Sequence, residues 1–278
     1  MTDDAWFAGL APGDVAGAAA AVRDGRADTP RDWPALAVDA GFADSEADYY
    51  AALREATLTA TREAVTERER ADDVQLSHAV RATDDLERTA NELAERLAEW
   101  AGSQFADAGS GVEYAREVAA RDPETPTEDR IVSLATRVVD LADERDRARV
   151  YVERRAPEVA PNLTTLAGPV LAARLIALAG GLEPLAKMPS GTVQVLGAED
   201  ALFAHLQGRA PSPKHGIIFT HEYVRGTRPA DRGSAARAVA GKLAIAARID
   251  HYSGELRPEV ERDLDERMET IRAREGSE

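Results

Sequence analysis

The sequence predicts an all-α chain: a short N-terminal cap, a long antiparallel coiled coil and a compact helical domain. Three observations lead there. Aromatic residues make up only 5% of 278 residues, while alanine recurs throughout. Alanine is the best helix former, whereas strands draw on aromatic and β-branched residues. Two long stretches space their apolar residues alternately by three and four, the heptad signature of paired helices. A third stretch, up to Ala179, is apolar on nearly every face, as a helix buried in a core must be.

Composition excludes several chemistries. A hydrophobic content of 44% is sufficient for packed cores. With no cysteine there is no disulfide framework, thiol nucleophile or Cys-based zinc site. The first thirty residues lack the basic and apolar regions of a secretory signal. Arg174 and Glu183 interrupt the apolar run 163–182, which favours a core helix over a membrane span. A soluble, cytoplasmic protein is expected. The net charge of −16 opposes nucleic-acid binding on bulk electrostatics. Abundant acid, with Arg in place of Lys, also suits a protein kept soluble in concentrated salt, as in a halophilic archaeon. The charge is uneven, since residues 161–252 carry +4, the remainder −20, and all three lysines (Lys187, Lys214, Lys242) lie in that window.

Residues 1–44 hold glycines, prolines, Trp6, Phe7, Trp33 and Phe42 without a long period, which fits a small helical cap or partial disorder. Ser45-Glu46-Ala47-Asp48 resembles a capping box and opens a helix expected to run to about Trp100. Its seam is Leu86, Ala90, Leu93, Leu97 and Trp100. Gly102, Gly109 and Gly111 break the pattern. Thr125-Pro126-Thr127-Glu128 starts a second helix with the seam Ile131, Leu134, Val138, Leu141, Arg145, Ala148 and Val152. An antiparallel coiled coil over residues 45–157 follows. The alternative is an ordinary bundle, which rarely keeps so narrow a stripe.

After Ala160, Asn162 reads as the N-cap of a helix that ends at Gly180-Gly181 and forms the centre of the next domain. Residues 187–228 read as turns with brief apolar runs, and Pro229 to Ile249 as a strong helix. A C-terminal helix from Pro258 to Arg274 turns Val260, Leu264, Met268 and Ile271 inward. The domains expected are thus 1–44, 45–157, 158–254 and 255–278.

Enzyme signatures such as a P-loop, GxGxxG, GxSxG or HExxH are missing. His205, His215 and His221 lack the Asp or Cys partners of a metal site, so no metal, cofactor or catalytic residue is expected. Arg209, Lys214, His215, Arg225, Arg228, Arg232, Arg237, Lys242 and Arg248 crowd the least acidic region. Arg237 and Arg248 are eleven residues apart, close to three helical turns, and so share a face with Gly241 and Ala244 between them. Two guanidinium groups around small residues let a phosphate backbone approach closely. Surface ion pairing to Asp231 and Asp250 is the alternative.

The residues from Ala160 onward resemble a known family. Ala160-Pro161-Asn162-Leu163-Thr164, Gly168, Ala173-Arg174-Leu175-Ile176 and Ala179-Gly180-Gly181-Leu182 resemble the opening of the Nop domain. Leu185-Ala186-Lys187-Met188-Pro189-Ser190, Val195-Leu196-Gly197-Ala198-Glu199, Ala201-Leu202-Phe203, Pro213-Lys214-His215-Gly216, Arg232-Gly233 and Ala246-Ala247-Arg248-Ile249-Asp250 continue it in order. Leu86 to Trp100 is similar to the coiled-coil segment of the same family, the archaeal Nop proteins that scaffold box C/D ribonucleoprotein particles, with nucleolar and spliceosomal relatives.

The resemblance implies a non-enzymatic scaffold. Nop domains recognise a kink-turn guide RNA together with a bound ribosomal-type kink-turn protein. The coiled coil pairs two subunits, and the N-terminal domain recruits fibrillarin, which methylates ribose with S-adenosylmethionine. On this basis Lys214, His215, Arg237, Lys242 and Arg248 are the candidate RNA contacts. Gly197, Ala198, Glu199 and Phe203 are the candidate contacts with the kink-turn protein, Leu202 being expected in the core. Three departures stand out. Only about forty-five residues precede the first long helix, where relatives carry a complete α/β domain. Asp200, Ala204 and Gln207 replace commonly basic residues, and the lysine-rich tail is missing. The first departure bears on fibrillarin, whose contact would fall to Trp6, Phe7, Trp33 and Phe42. The competing reading is a coiled-coil interaction protein that kept the fold without binding RNA; an RNA-modifying enzyme in its own right is a more distant one.

Overall fold

Helices α1 (Val15–Asp24), α2 (Trp33–Asp39) and α3 (Glu46–Glu69) form the first of two compact units, which ends at Ala71. The structure, a computed structural model, describes residues 5–25, 29–107 and 109–273. The described part of the N-terminal segment is helical and built on its own aromatics. Phe7 stacks on Phe42 at 5.3 Å, Trp6 meets both edge-on, and the Trp6 indole Nε1 donates to the Tyr49 hydroxyl at 3.2 Å. Such offset and edge contacts add to the burial of the rings.

Ser45 caps α3 as expected, its Oγ accepting from the Asp48 amide at 3.2 Å. The helix does not continue to Trp100. It stops at Glu69, and α4 (Asp72–Ala101) begins at an Asp72-Asp73 pair, the charge that a helix N-terminus favours. The Asp73 carboxylate also accepts from the Leu182 amide at 2.9 Å.

The second unit starts at Asp72. Helix α5 (Gly111–Ala119) follows α4, and α6 (Pro126–Val159) returns alongside it. Leu76 and Val80 share a core with Val152 and Ala156, while Ala94, Leu97 and Ala101 share another with Ile131, Ala135 and Val138. The pairing is therefore antiparallel. Thr125 caps α6, and the Glu128 carboxylate reaches back to the Glu124 amide at 2.8 Å.

The three-four alternation persists, but partly on neighbouring positions. The buried positions are Ala90, Ala94, Leu97 and Ala101 on α4, with Ile131, Ala135, Val138, Ala142 and Val152 on α6. Leu86, Leu93, Leu134 and Leu141 flank this line half-buried, and Trp100 is 40% exposed. Along the buried line alanines alternate with Leu97, Ile131 and Val138, and half-buried leucines flank it. Helix α5 packs over the far end, against Ala94, Leu97 and Ile131, which widens the buried face there.

The apolar stretch beyond α6 is two helices, α7 (Pro161–Ala167) and α8 (Pro169–Ala179), bent by 118°. Gly168 sits at φ 74 between them, a conformation costly for other residues, and Pro169 starts the new helix. Among the described residues no single helix is long and apolar enough to cross a membrane. Short helices α9 (Leu182–Lys187), α10 (Ser190–Val195) and α11 (Glu199–Leu206) follow. A 3₁₀ turn (Ile217–Thr220), α12 (Glu222–Arg225), α13 (Arg232–Tyr252) and α14 (Glu259–Ala273) complete the unit. Arg274 of the expected last helix lies outside the described residues.

The apolar 162–179 stretch is buried as expected, with α7 and α8 against α4, α6 and α9, and α13 is a second element around which the others pack. Helices α7, α9, α10, α12 and α14 all lie against it, over an alanine-rich surface from Ala235 to Ala247. Val260, Leu264, Met268 and Ile271 of α14 face inward as expected.

Asn162 is not an N-cap. Helix α7 begins one residue earlier, and the Asn162 amide Nδ2 donates to Asp250 Oδ1 at 2.7 Å and to the Glu255 carbonyl at 2.8 Å. The capping role passes to Asp250, whose carboxylate accepts from the backbone amides of Asn162 and Leu163 at 2.9 and 2.8 Å.

Candidate nucleic-acid interface

The expected cations lie on α13 and on the loop leading to it. That loop is fixed by a short hydrogen-bonded pairing. The Gly216 amide donates to the Gln194 carbonyl at 2.9 Å and the Ile217 amide to the Leu196 carbonyl at 2.7 Å. Gln194 Nε2 holds the Lys214 carbonyl at 2.8 Å. Lys214 thereby lies near the start of α13, its Cδ 4.0 Å from where a Cβ on Gly233 would sit, and its side chain stays exposed.

His215 stacks on Phe219 at 4.7 Å, with the Arg232 guanidinium 5.4 Å from the same ring. Burial, then the charges of Arg232 and Lys214, holds its imidazole below the usual histidine range. At neutral pH His215 is a hydrogen-bonding ring rather than a charge.

Arg237 and Arg248 share an exposed face of α13, as the eleven-residue spacing requires. Arg248 Nη2 donates to the Met188 carbonyl at 3.1 Å, while Arg237 has no hydrogen-bond or ion-pair partner among the described residues. Gly241 lies between them partly open, but Ala244 is buried, and Ile245, 41% exposed, occupies the surface at that level. The neighbouring helices cover the flank on which Ala244 falls. Lys242 is set apart from this strip, because its ammonium pairs with Asp263 of α14 at 2.6 Å. Asp250, considered as a surface partner for these arginines, is buried beneath them, and Asp231 pairs with Arg228.

The Gly197 segment adjoins this strip. Gly197 takes φ 80, and a Cβ there would lie 3.3 Å from both Ile217 Cβ and Leu178 Cδ1, so the turn needs glycine for conformation as well as space. The Glu199 carboxylate folds back to accept from the Gly197 amide at 2.8 Å, which makes it a brace of the turn. Ala198 is half-buried at the start of α11. From that helix Phe203, 62% exposed, and Leu206, 71% exposed, point outward three residues apart, while Leu202 is half-buried. Leu206 was not singled out from the sequence, although its spacing from Phe203 puts both on one helical face.

His205 and His221 are structural. His205 Nδ1 lies 3.0 Å from the Ala210 carbonyl. His221 is buried, with Nε2 2.9 Å from the Leu166 carbonyl and Nδ1 accepting from the Tyr223 amide at 3.1 Å. Burial lowers its pKa. An ion pair also joins the paired helices to the rest of the unit. Arg174 of α8 binds Asp84 of α4 through both Nε and Nη2, and Arg81 Nη2 donates to the Ala177 carbonyl at 2.7 Å.

Exposed cations thus lie at Lys214 on its loop and at Arg237 and Arg248 on α13, and the residues just before the Gly197 turn are hydrogen-bonded to the Lys214 loop. Residues 112–271 match the model of a family described as Nop, snoRNA binding domain, fibrillarin. A NOP5 family protein of Methanocaldococcus jannaschii is 40% identical over 228 residues, covering 69% of this chain and 55% of that protein. Nucleolar protein 58 of Schizosaccharomyces pombe is 34% identical over 218 residues, 65% of this chain and 43% of its own. The chain therefore spans about half the length of these curated relatives. The crystal structure of a fibrillarin/Nop5p complex is similar with a TM-score of 0.54 and 26% identity, covering 91% of each chain.

Proposed function

The chain belongs to the Nop family, and on that premise we propose that it is a non-catalytic scaffold of a box C/D guide-RNA particle. In this reading it binds a kink-turn RNA together with the RNA's kink-turn protein, and positions fibrillarin for ribose methylation. The observation that carries the reading is the hydrogen-bonded pairing of 194–196 with 214–217, which ties the residues before the Gly197 turn to the loop carrying Lys214 and His215. Lys214, His215, Arg237 and Arg248 offer hydrogen-bond donors to phosphate, and Phe203 and Leu206 on α11, beyond the same turn, offer apolar contact.

The acidity of the rest of the chain argues for the same composite. With a net charge of −16, long-range attraction contributes little, and it is screened beyond about 10 Å at 0.1 M salt. RNA affinity must then come from short-range donors, supplemented by protein contact. Binding of a kink-turn guide RNA, alone and with its kink-turn protein, tests this by mobility shift. Tight assembly is expected only with both present. Equal affinity for bare and protein-bound RNA would overturn the composite surface, and no assembly in either case would leave an interaction protein that does not bind RNA.

The relative solved with fibrillarin supports a fibrillarin partner. Phe7 and Phe42 are spent in the core of the N-terminal unit and Trp6 and Trp33 pack against it, so the contact expected of these four moves to the exposed Tyr50, Leu58 and Val65. For self-association we propose the paired α4 and α6, which expose Trp100, Val150 and Tyr151.

A further inference from the structure

The last turn of α13 carries an aromatic ring that the fold does not use. Tyr252 is 69% exposed, and His251 stands edge-on to it at 4.6 Å. One turn earlier on the same face lies Arg248, steadied by the Met188 carbonyl. Lys187, the last residue of α9, is exposed and pairs with Glu183 at 2.5 Å, one residue before the Met188 that holds Arg248. The ring therefore lies at the end of the cation strip, just past its last arginine.

An aromatic face flanked by cations suits a nucleobase better than an apolar side chain. Bases stack on tyrosine irrespective of sequence, while the cations take the phosphate. Within a duplex, base faces are covered by their neighbours, so only an unpaired nucleotide offers one. The four-residue step from Arg248 to Tyr252 is about 6 Å along the helix, which places the guanidinium and the ring within reach of a single nucleotide. We infer that Tyr252 is a stacking platform for an unpaired nucleotide flanking the RNA stem, with Arg248 on that nucleotide's phosphate. The inference rests on the RNA-binding reading above and adds to it where the strand leaves the duplex.

The probes are kink-turn RNAs assembled with the kink-turn protein and the full chain. One has blunt stems; each of the others has a three-nucleotide unpaired extension carrying 2-aminopurine on a different stem end. One extended RNA is expected to bind about 5- to 150-fold more tightly than the blunt one and to lose 2-aminopurine fluorescence on binding. Tyr252→Ala should abolish both effects while leaving blunt-RNA affinity unchanged, and Tyr252→Phe should keep both. Equal affinity of wild type for all the RNAs would overturn the platform. So would unaltered quenching in Tyr252→Ala, or an equal loss on blunt and extended RNA. Failure of the wild type to assemble with any of these RNAs would instead reject RNA binding itself, and the platform with it.

Discussion

The Asp250 carboxylate caps α7 from the far end of α13, taking the backbone amides of Asn162 and Leu163 as well as the Asn162 side chain. Asn162 in turn accepts from the Arg257 amide at 2.6 Å. One buried pair thus fixes the start of α7, the end of α13 and the approach to α14.

Replacing Asp250 by Asn should therefore be costly despite the similar shape. One oxygen still accepts, but an NH₂ group now faces a backbone N–H. A buried donor left without a partner costs about 1–3 kcal/mol. Urea unfolding of Asp250→Asn against wild type measures it, and a loss well below that range would mean that the Leu163 amide finds another acceptor.

His221 gives a pH dependence with a definite sign. Its Nε2 donates to a carbonyl and its Nδ1 accepts, so the folded site wants the neutral ring, and burial lowers its pKa. The Leu166 carbonyl, and after it Glu222, pull the other way without overcoming burial. On acidification the unfolded chain takes up the proton first. The stabilisation is then complete above the ordinary pKa of about 6.5 and falls as pH drops below it. His221→Asn should be less stable than wild type at pH 8, with the gap narrowing toward pH 5. A gap independent of pH would assign the site no part in the titration.

Lys242 and Arg237 should behave differently. Lys242→Ala removes a link to Asp263 of α14, a partly exposed pair worth about 0–1 kcal/mol of stability, with little effect on RNA assembly. Arg237→Ala should leave the fold alone and weaken assembly by about 1–3 kcal/mol if the arginine makes a charge-assisted contact. Calorimetry and mobility shift on the two variants separate the roles; the reverse pattern would return Lys242 to the RNA.

Along the paired helices, size should matter more than polarity at the alanines. Ala135 is fully buried facing α4, and Ala135→Leu should cost about 1–3 kcal/mol by overpacking. Leu97→Ala, which empties a filled site, should cost about 2–5 kcal/mol, and the half-buried Leu134→Ala less. Thermal unfolding followed by far-UV circular dichroism ranks them.

The helices were legible because alanine content, heptads and capping residues are local signals. Ser45 and Thr125 cap as their spacing requires, and α14 buries its four expected residues. The break at Ala71 was missed because neither glycine nor proline marks it; the Asp72-Asp73 pair was the signal. Ala90, Leu97, Ile131, Val138 and Val152 of the expected seam are buried. Leu93, Trp100, Leu134 and Leu141 yield to the alanines next to them, because leucine outweighs alanine in any hydrophobic count although alanine allows closer helix approach. Asn162 was read as a cap because its true partner, Asp250, is distant in sequence. At the interface, helical periodicity placed Arg237 and Arg248 on one face, but burial of Ala244 and the pairing of Lys242 depend on helices that the local pattern does not contain.

The antiparallel pair is also a ruler. Helix α4 has 30 residues and α6 has 34, so each extends roughly 45–50 Å, with one core at the base and another under α5 at the tip. Separation and orientation of the two ends are then fixed by residue count. Excising one heptad from each strand would draw the tip about 10 Å inward and turn it by only about 20°. Excising five residues from each helix instead would swing the tip by roughly 140° to another side. Whatever grips the far end of this strut is aimed by arithmetic, and insertions should be tolerated best near whole numbers of turns, at roughly seven, eleven or eighteen residues.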